Sequence, residues 1–323
     1  MMLAKFILIP QGGMKAGLGH LRRMLALGDA AAESGHKVFI VTNFLEDSLV
    51  EQVKAKFETR NLKLDQRSKS DNQFLVLDGY EIPIQDFQEH DNLVVFEDYV
   101  HRDVTCNYLV DANVSSDSLS KYSNYTFQNL LEGGKFINLG SEYRKPAKVR
   151  ELFGKPRLLV SLGGSDPENF TDIVLQTITK MLREFSKVSI AIGPLNPNES
   201  ELRQKYSDYG FNWIYSPESL FDAYEKHDVA IGAGGTSAYE RVNRNLLSLN
   251  LVTADNQVRV AHGLEEAGLA LCADLRRVKS LKINEIEKLF DPNRAAIVSQ
   301  AGHEYIDGFG SDRIVEHLVG TLK

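Results

Sequence analysis

The hydrophobic pattern of the sequence changes its period repeatedly, and this alternation restricts the possible folds more than any other feature. Short apolar runs rich in branched residues alternate with longer amphipathic stretches, so the period switches between about 2 and about 3.6. Strands and helices that alternate in this way form βαβ units around a parallel sheet. The pattern starts with an apolar run at 6–9, a glycine-rich turn and a predicted helix at 19–33, and it restarts at residue 157.

This restart predicts two domains. A charged stretch that contains proline, residues 141–156, separates the two halves, and we interpret it as a linker. The 323 residues of the chain suit two domains of about 150 residues each. We predict an α/β protein with two Rossmann-like domains, 1–145 and 156–310, whose parallel sheets face a cleft. A helix at 311–323 is expected to pack back on the first domain.

Two further elements are predicted within these domains. The apolar pattern at 135–138 predicts a strand, and the amphipathic stretch 169–185 predicts one continuous helix.

Composition excludes several classes of partner and site. The net charge of -7 argues against nucleic acid or an anionic membrane as a main partner. The two cysteines, Cys106 and Cys272, are far apart and are expected to be buried structural thiols. The eight histidines show no metal-binding spacing, so we predict no metal and no cofactor. Without a leader or an apolar run of about 20 residues, a cytoplasmic enzyme or binding protein without membrane insertion is expected.

Glycine-rich turns follow three of the predicted strands, where helices begin. Their residues are Gly17 and Gly19 in the first turn, Gly163, Gly164 and Ser165 in the second, and Gly234, Gly235, Thr236 and Ser237 in the third. Glycine lets backbone N–H groups approach an anion, and a helix start adds a positive dipole end. We expect phosphate binding there, with Ser237 or Thr236 both capping the helix and donating to a phosphate oxygen. The alternative is plain tight turns, because none matches a P-loop and the first lacks the third glycine of a dinucleotide motif.

Glu240 and His20 lie beside these turns and carry the candidate chemistry. Glu240 lies about one turn of helix after the third glycine turn. A carboxylate at this position can accept hydrogen bonds from vicinal hydroxyls such as those of a ribose. The alternative is an ordinary acidic residue that the helix dipole favours. His20 opens the first predicted helix, and a helix N-terminus disfavours a cationic imidazole. A neutral imidazole is what a general base requires. The alternative is a capping or packing histidine.

Seven segments of the chain, in order, form a more specific pattern. They are GLGHLRRMLALGDAAAESGHKV, VLDGYEIP, VFEDYVHRDVTCNYLVDANV, LVSLGGSDPENFT, IGAGGTSAYERV, TADNQ and DGFGSDR. This series resembles the PseG family, the UDP-2,4-diacetamido-2,4,6-trideoxy-β-L-altropyranose hydrolases of pseudaminic acid biosynthesis. That family is related to MurG-type GT-B glycosyltransferases, so the resemblance implies a GT-B-like fold.

The resemblance also implies a role for each matching residue. His20 would be the base that assists attack of water on the anomeric carbon of a UDP-sugar, with UDP leaving, and Tyr80 would lie beside the reacting sugar. The nucleotide-binding residues would be Gly234, Gly235, Thr236 and Ser237 for the pyrophosphate, Glu240 for the ribose, and Asn256 with Gln257 towards the sugar. N–H donors and a helix dipole can meet the charge of departing UDP, so the reaction needs no metal.

The chain departs from the family pattern at several positions. It lacks the LLRPEF part of the segment before the linker, it has Leu247 in place of a proline, and it has Glu97–Asp98 in place of two aspartates. These departures leave the sugar open. Three functions remain open as well: a UDP-sugar hydrolase, a GT-B glycosyltransferase that uses a UDP-sugar donor, and a catalytically idle nucleotide-sugar-binding protein.

Overall fold

The computed structural model describes residues 3–60, 72–97, 102–114 and 122–322. The chain divides into two compact units. Unit 1 comprises Met1–Arg144 and Gly308–Lys323, and unit 2 comprises Lys145–Asp307. Asp98, which belongs to one of the segments quoted above, lies outside the described residues.

Unit 1 is built on a parallel sheet. Its strands, in the described part of the chain, are β1 (Lys5–Pro10), β2 (Lys37–Val41), β3 (Glu58–Arg60), β4 (Gln73–Asp78), β5 (Leu93–Phe96), β6 (Val104–Thr105), β7 (Tyr108–Asp111), β8 (Tyr125–Thr126) and β9 (Asn129–Glu132). Seven of them form one sheet in the order β3-β2-β1-β4-β5-β7-β9, and β6 pairs with β8. The central strands β1 and β4 are apolar between their terminal residues, as expected where both faces of a parallel sheet are covered.

The helices of unit 1 lie between these strands. They are α1 (Gly19–Glu33) and α2 (Asp47–Lys54), with 3-10 turns at Ile84–Phe87, Gly134–Phe136 and Ser141–Arg144. Helix α1 has the bounds that its periodicity predicts, and one face of it is buried.

Unit 2 repeats the plan with a six-stranded parallel sheet in the order β12-β11-β10-β13-β14-β15. Its strands are β10 (Arg157–Ser161), β11 (Lys187–Ile192), β12 (Asn212–Tyr215), β13 (Val229–Ala233), β14 (Leu247–Val252) and β15 (Leu271–Asp274). Its helices are α3 (Phe170–Ile178), α4 (Glu199–Lys205), α5 (Phe221–Lys226), α6 (Thr236–Asn243), α7 (Val258–Glu266), α8 (Ile283–Glu287) and α9 (Pro292–Tyr305). Shorter 3-10 turns lie at Thr179–Glu184, Ser207–Tyr209, Asp255–Gln257 and Lys288–Phe290.

After unit 2 the chain returns to unit 1 as helix α10 (Gly310–Gly320), which packs on α1. A Cβ at Gly310 would lie 2.1 Å from the carbonyl oxygen of Ile137, so only glycine permits this approach. Arg144 and Asp312 form an ion pair of 3.1 Å beside it.

Both sheets reverse their strand order near the middle. In unit 1 the reversal lies between β1 and β4, and in unit 2 it lies between β10 and β13. Loops that leave the carboxyl ends of strands at such a reversal diverge, and the crevice they open is where ligands of this kind of sheet bind. Each unit therefore carries one favoured binding position, at the carboxyl edge of its own sheet.

Two predicted elements are wrong. The strand expected at 135–138 is a 3-10 turn, Gly134–Phe136, and the paired strand lies earlier, at β9. Gly133, with φ of 95°, turns the chain out of the sheet before the apolar residues that prompted the prediction. The helix expected at 169–185 ends at Ile178, and a 3-10 segment with an extended φ of -132° at Met181 follows it.

The expected linker, residues 141–156, is largely docked rather than free. Its first residues form the 3-10 turn that closes unit 1, and two buried arginines fasten the next part to unit 2. Arg150 donates to the carbonyl oxygens of Arg244, Tyr224 and His227, and Arg244 donates to that of Lys145. Burial lowers the pKa of Arg150 to about 10, so it remains charged at neutral pH.

The cysteine prediction holds for one residue. Cys106 is buried, as expected, whereas Cys272 is only partly buried, because β15 is the edge strand of its sheet. Within the described residues, no helix has the length and apolar character that crossing a membrane requires.

Candidate functional site

The candidate site in unit 1 is a buried pair, His20 and Asp78, at the sheet reversal. His20 is the second residue of α1, which follows β1, and Asp78 is the last residue of the neighbouring strand β4. Because the register places Pro10 beside Asp78, the two loops leave the sheet at one level. The imidazole Nδ1 lies 2.7 Å from Asp78 Oδ1, and both residues are buried.

Arg23 completes this cluster. It lies one turn after His20 on α1, and its guanidinium donates to Asp78 Oδ2 from Nε at 3.0 Å and to Oδ1 from Nη2 at 2.7 Å. Nη2 also lies 2.9 Å from Nδ1 of His20. Arginine is always a donor. Asp78 therefore holds the guanidinium and the imidazole together.

The short distance between His20 and Asp78 decides the position of the imidazole proton. Two acceptor atoms 2.7 Å apart repel each other unless a proton lies between them, and a carboxylate at neutral pH does not supply one. We therefore assign the proton to Nδ1, which donates to Asp78 Oδ1. The 2.9 Å contact between Nδ1 and Nη2 of Arg23 is then not a hydrogen bond; the two nitrogens lie close because both donate to the same carboxylate oxygen. The lone pair is then on Nε2, as a general base requires.

Tyr80 packs against the same histidine. Its ring lies edge-on to the His20 imidazole, with 4.6 Å between centroids. The loop that carries Tyr80 is held by Arg102, whose guanidinium donates to the carbonyl oxygens of Gly79, Tyr80 and Ile82 at 2.8–3.0 Å. Glu97, fully buried, orients that guanidinium through a 2.9 Å ion pair. The position of Tyr80 is thus fixed by contacts from outside its own loop.

Two N–H groups of the first glycine turn already have acceptors within the protein, and the role of Gly17 and Gly19 towards a ligand stays a prediction. The carboxylate of Glu46 accepts a 2.7 Å hydrogen bond from the backbone N–H of Met14, and a Cβ on Gly13 would lie 2.4 Å from that carboxylate. The N–H of Gly17, a residue with φ of 74°, donates to the carbonyl oxygen of Gly13. Gly19 begins α1. This turn is therefore occupied by an acid of the protein itself.

The candidate residues of unit 2 come together at the carboxyl ends of adjacent strands. Gly163, Gly164 and Ser165 follow β10, the turn from Gly234 to Ser237 follows β13, and Asn256 with Gln257 follows β14. The second turn is tightly packed, because a Cβ on Gly193 would lie 2.4 Å from the carbonyl oxygens of Gly163 and Gly164. The two turns that follow β10 and β13, the strands at the reversal, are both rich in glycine.

The expected capping of α6 is wrong. The helix begins at Thr236, its N-cap is Gly235, and no side chain caps it. Ser237 instead accepts a 3.3 Å hydrogen bond from Nη1 of Arg241, one turn later. The hydroxyl groups of Thr236 and Ser237 therefore do not close the first turn of the helix, and their role towards phosphate stays a prediction.

Glu240 and Gln257 already have partners within unit 2. The hydroxyl of Tyr224 donates to Glu240 Oε2 at 3.1 Å, which orients a buried carboxylate. Gln257 Oε1 accepts from both the N–H and the hydroxyl of Thr253, so this carbonyl end stabilises its own turn. The Gln257 side chain lies beside Gly234, since a Cβ there would be 3.5 Å from it. Roles for Glu240, Asn256 and Gln257 towards a nucleotide or a sugar stay predictions.

A buried network follows β7, in one of the segments that carry the family resemblance. Asp111 accepts hydrogen bonds from the hydroxyl of Tyr122 and from the side chain of Asn113, and the same hydroxyl contacts Glu132 at 2.9 Å. Burial, together with Asp111, raises the pKa of Tyr122 far above its ordinary value. Tyr122 and Asn113 donate and the carboxylates accept, and these contacts hold the end of the strand.

One group among the described residues could hold a divalent ion. Possible ligand atoms of His262, Glu265 and Cys272 all lie within 4.8 Å of one another, on α7 and the edge strand β15. Two of the three are exposed, and the ring and carboxylate are 4.0 Å apart. Burial, with the nearby acids, raises the pKa of Cys272 to about 12, so the thiol keeps its proton at neutral pH. The absence of a metal site stays a prediction.

Three functional candidates were not anticipated from the sequence: Asp78, Arg23 and Arg102. Asp78 had a detectable signal, because it ends a fully apolar run, where a charged residue at the carboxyl edge of a parallel sheet points to a binding crevice. Arg23 lies one turn after His20 and shares its helix face. Arg102 had no comparable signal, since its partners lie about 20 residues earlier in the chain.

Two curated relatives cover different shares of the chain. The uncharacterised protein MJ1062 of Methanocaldococcus jannaschii is 23% identical over 262 residues, which are 73% of this chain and 53% of that protein. This chain thus spans about half the length of that relative. The spore coat polysaccharide biosynthesis protein SpsG of Bacillus subtilis is 22% identical over 324 positions, 95% of each chain. No model of a known protein family matches the chain.

Solved structures share the whole fold at low identity. MurG of Acinetobacter baumannii has a TM-score of 0.63 and 10% identity, and the match covers 99% of this chain and 100% of MurG. LpCGTa in complex with UDP has a TM-score of 0.66 and 11% identity over 99% of each chain. The calicheamicin glycosyltransferase CalG4 has a TM-score of 0.60 and 14% identity over 99% and 100%. The chain therefore has a GT-B-like fold with two Rossmann-like units, as predicted.

Proposed function

We propose that the protein is a nucleotide-sugar hydrolase related to the PseG family. It releases UDP and a free 2,4-diacetamido-2,4,6-trideoxy sugar for nonulosonic, specifically pseudaminic, acid biosynthesis, without a metal ion. Unit 1 supplies the general base, and unit 2 binds the nucleotide. The observation that carries the proposal is the buried 2.7 Å contact between Nδ1 of His20 and Asp78 Oδ1, from which we assign the proton to Nδ1 and the lone pair to Nε2.

This pair has the parts of a base and its orienting group. A carboxylate that accepts from one ring nitrogen fixes the tautomer, and it stabilises the imidazolium that forms when the other nitrogen takes a proton. Arg23 holds Asp78 in place through two charge-assisted hydrogen bonds. Tyr80 restricts the imidazole from the side. A histidine that only packed against the core would need none of these groups, and this speaks against an idle binding protein.

The occupied glycine turn of unit 1 supports water as the second reactant. An anionic acceptor, such as a lipid-linked phosphate, would have to dock at N–H groups beside His20. Glu46 already takes the N–H of Met14, and Glu81 follows Tyr80 in the adjacent loop, paired with the exposed Lys15. Carboxylates at this edge repel a second anion. A neutral reactant, of which water is the smallest, suits this environment better.

Unit 2 supports binding of the nucleotide. The two glycine turns beside its sheet reversal end at helix N-termini, where backbone N–H groups and the helix dipole attract phosphate. In this proposal Glu240, which Tyr224 orients, accepts hydrogen bonds from the ribose hydroxyls. In this proposal Asn256 and Gln257 face the sugar, and Gln257 does so with its amide nitrogen, because its oxygen is used by Thr253.

The proposed reaction exchanges one bond of the anomeric carbon for another. The oxygen of water forms a bond to the anomeric carbon while the bond from that carbon to the β-phosphate oxygen breaks. One proton of the water passes to Nε2 of His20, and UDP leaves with the electron pair of the broken bond. N–H donors at the turn Gly234–Ser237 stabilise its additional charge.

The principal alternative is a glycosyltransferase that uses the same donor. Its support is the shared fold with glycosyltransferases such as MurG and CalG4, and this alternative differs from hydrolysis only in the attacking oxygen. The distinguishing experiment is UDP release from a panel of UDP-sugars, including the PseG substrate, without any acceptor. We expect rapid release together with free sugar. UDP binding without release from any donor would favour the transferase.

Two controls make this experiment specific. His20→Ala should lower turnover by roughly 10² to 10⁴, the usual contribution of a general base, while UDP affinity stays the same. His317→Ala changes an exposed histidine of the same unit and should have no effect. Reaction in ¹⁸O-labelled water should place the label in the free sugar. Label in UDP would show attack at phosphorus and would refute the proposed step.

A further inference from the structure

A pocket opens at the amino edge of the sheet in unit 2, where the strands begin. Its volume of about 510 Å³ lies within the usual range of about 300–1,000 Å³ for small-molecule sites. The first residues of three neighbouring strands line it: Arg157 of β10, Lys187 of β11 and Asn212 of β12. The candidate nucleotide turns follow the opposite ends of the strands. Because β10 has five residues, the two edges are roughly 15 Å apart, and the pocket is a separate place.

Helix α5 forms the facing wall of this pocket. Asp222, Ala223 and Lys226 line it, and their spacing places them on one face of the helix. Ile214 of the edge strand β12 adds an apolar surface. The pocket thus has charged groups on both walls and an apolar side between them.

The floor of the pocket is polar but uncharged. His227 is buried, and its Nδ1 donates to the carbonyl oxygen of Ala223 at 2.6 Å, because a carbonyl can only accept. Nε2 therefore accepts from the hydroxyl of Ser189 at 2.8 Å, and Ser189 accepts from the side-chain amide of Asn212 at 3.2 Å. Burial lowers the pKa of His227, which favours this neutral form. The hydrogen bonds fix the floor in one arrangement without adding a counter-charge.

Two cations lie side by side where the strands begin. Arg157 and Lys187 are partners in the register of β10 and β11, so their side chains leave the same face of the sheet. Neighbouring strands are only about 4.8 Å apart, so two like charges at paired positions repel each other. Asp228 offsets part of this repulsion, because it accepts from Nε and Nη2 of Arg157. Nη1 of Arg157 has no hydrogen-bond partner among the described residues and remains available.

The two lysines of the pocket have no partner of this kind. In the part of the chain that the structure describes, the ammonium groups of Lys187 and Lys226 form no hydrogen bond and no ion pair. Three of the nine lining residues are cations and one is an acid, although the whole chain has a net charge of -7. A concave place with an excess of one charge attracts ligands of the opposite charge. The pocket is therefore suited to an anion.

We propose that this pocket binds a small phosphorylated molecule that also carries hydroxyl groups, such as a sugar phosphate. The phosphate lies among Arg157, Lys187 and Lys226, which supply charge-assisted hydrogen bonds. Asp222 accepts from the hydroxyl groups, and Ile214 contacts the apolar face of the ring. The inference does not rest on the proposed function, because it concerns the other edge of the sheet.

The alternative is that both lysines are ordinary solvated surface charges. Such charges attract every anion weakly, and salt screens the attraction. They would not distinguish a sugar phosphate from inorganic phosphate, and they would not bind a fixed number of molecules per chain. A pocket does both.

The test is calorimetric titration of the intact protein with glucose 6-phosphate, inorganic phosphate and glucose, each with and without saturating UDP. We expect one saturable site for glucose 6-phosphate, weaker binding of inorganic phosphate and no binding of glucose. The double variant Lys187→Met, Lys226→Met should bind glucose 6-phosphate about tenfold more weakly or worse, because it loses two charged donors. Lys180→Met, Lys288→Met removes the same two charges from exposed 3-10 turns of unit 2 and should leave the affinity unchanged.

NMR of the histidine side chains locates the ligand without any substitution. His227 lines the pocket, whereas His20 belongs to unit 1. Glucose 6-phosphate should therefore shift the imidazole resonances of His227 and leave those of His20 unchanged. The reverse pattern would refute the proposal, even if the double variant did not fold.

The remaining outcomes separate this proposal from the proposed function. Binding that does not saturate, or equal affinity in the wild type and the Lys187→Met, Lys226→Met variant, would refute the pocket. Loss of binding when UDP is added would place the phosphate at the nucleotide site and refute it too. Equal affinity for inorganic phosphate and glucose 6-phosphate would refute the role of the hydroxyl groups. If UDP does not bind at all, the proposed function fails, but the titrations without UDP still test the pocket.

Discussion

Replacement of Asp78 by asparagine tests how the imidazole of His20 is held. In the native protein the carboxylate accepts three hydrogen bonds, one from His20 and two from Arg23, at 2.7–3.0 Å. An asparagine has only one acceptor oxygen. In either orientation its amide nitrogen therefore faces a group that is a donor in the native arrangement.

The stronger bond decides the orientation. Hydrogen bonds to a charged group contribute about 1.5–3 kcal/mol, against about 0.5–1.5 kcal/mol for neutral pairs, so the oxygen of the introduced amide would stay with the guanidinium of Arg23. The amide nitrogen then donates to Nδ1 of His20. This contact forces the proton onto Nε2 and removes the lone pair that the proposed base needs.

The substitution should affect both turnover and stability. Turnover should fall by roughly 10² to 10⁴. Loss of the negative charge also breaks the ion pair between Asp78 and the largely buried cation of Arg23, which lowers the free energy of unfolding by on the order of 3–5 kcal/mol. A domain whose stability lies in the middle of the usual range of about 5–15 kcal/mol remains folded after this loss but melts at a lower temperature. UDP affinity should not change, because Asp78 belongs to unit 1.

The assay is steady-state UDP release at a temperature where circular dichroism shows both proteins folded. Nitrogen-15 NMR of the imidazole reports the tautomer directly. Asp228→Asn is the matched control, since it breaks a carboxylate–arginine pair, with Arg157, that contacts no histidine named in the proposed site. A folded Asp78→Asn protein with turnover within about threefold of wild type would refute the proposed base and its orientation.

Three further outcomes are expected. Arg102→Met should lower turnover without changing UDP affinity, and in a double-mutant cycle its effect should not add to that of Tyr80→Ala, which removes the ring that contacts His20; additive effects would show that Arg102 does not act through Tyr80. Glu240→Ala should weaken UDP binding by about 1–3 kcal/mol in calorimetry, and an unchanged affinity would remove Glu240 from the ribose role. Burial works to raise the pKa of Asp228, but hydrogen bonds from Arg157 outweigh it and hold this pKa below its ordinary value. The pair therefore stabilises the fold fully above about pH 4, and the melting-temperature difference between wild type and Arg157→Met should shrink as the pH falls further; a difference that grew in acid would contradict this.

Local patterns predicted much of the fold, because they depend on neighbouring residues. The apolar periods gave both parallel sheets, and the glycines with His20 marked the start of α1 at its correct residue. The same reasoning failed where one local pattern is compatible with two different secondary structures. The residues 135–138 are apolar enough for a strand, but Gly133 directs the chain away from the sheet before they begin.

The missing parts of the site depend on contacts between distant segments. Asp78 contacts His20, 58 residues earlier in the chain, only because β4 pairs with β1. The sequence of a strand does not indicate which strands lie beside it in the sheet. Glu46 reaches the first glycine turn from the start of α2, across 32 residues. A glycine-rich turn therefore predicts room for an acceptor of N–H hydrogen bonds. It does not predict whether a ligand or the protein itself provides that acceptor.

The return of the chain to unit 1 has a consequence for biosynthesis. Helix α10 packs on α1, the helix that carries His20, but all of unit 2 is translated between them. A nascent chain can therefore complete unit 2 while unit 1 still lacks one of its helices. Unit 1 acquires its full packing only after residue 320 has left the ribosome. Under the proposed function, a partially synthesised chain would then bind nucleotide before it could hydrolyse a nucleotide-sugar.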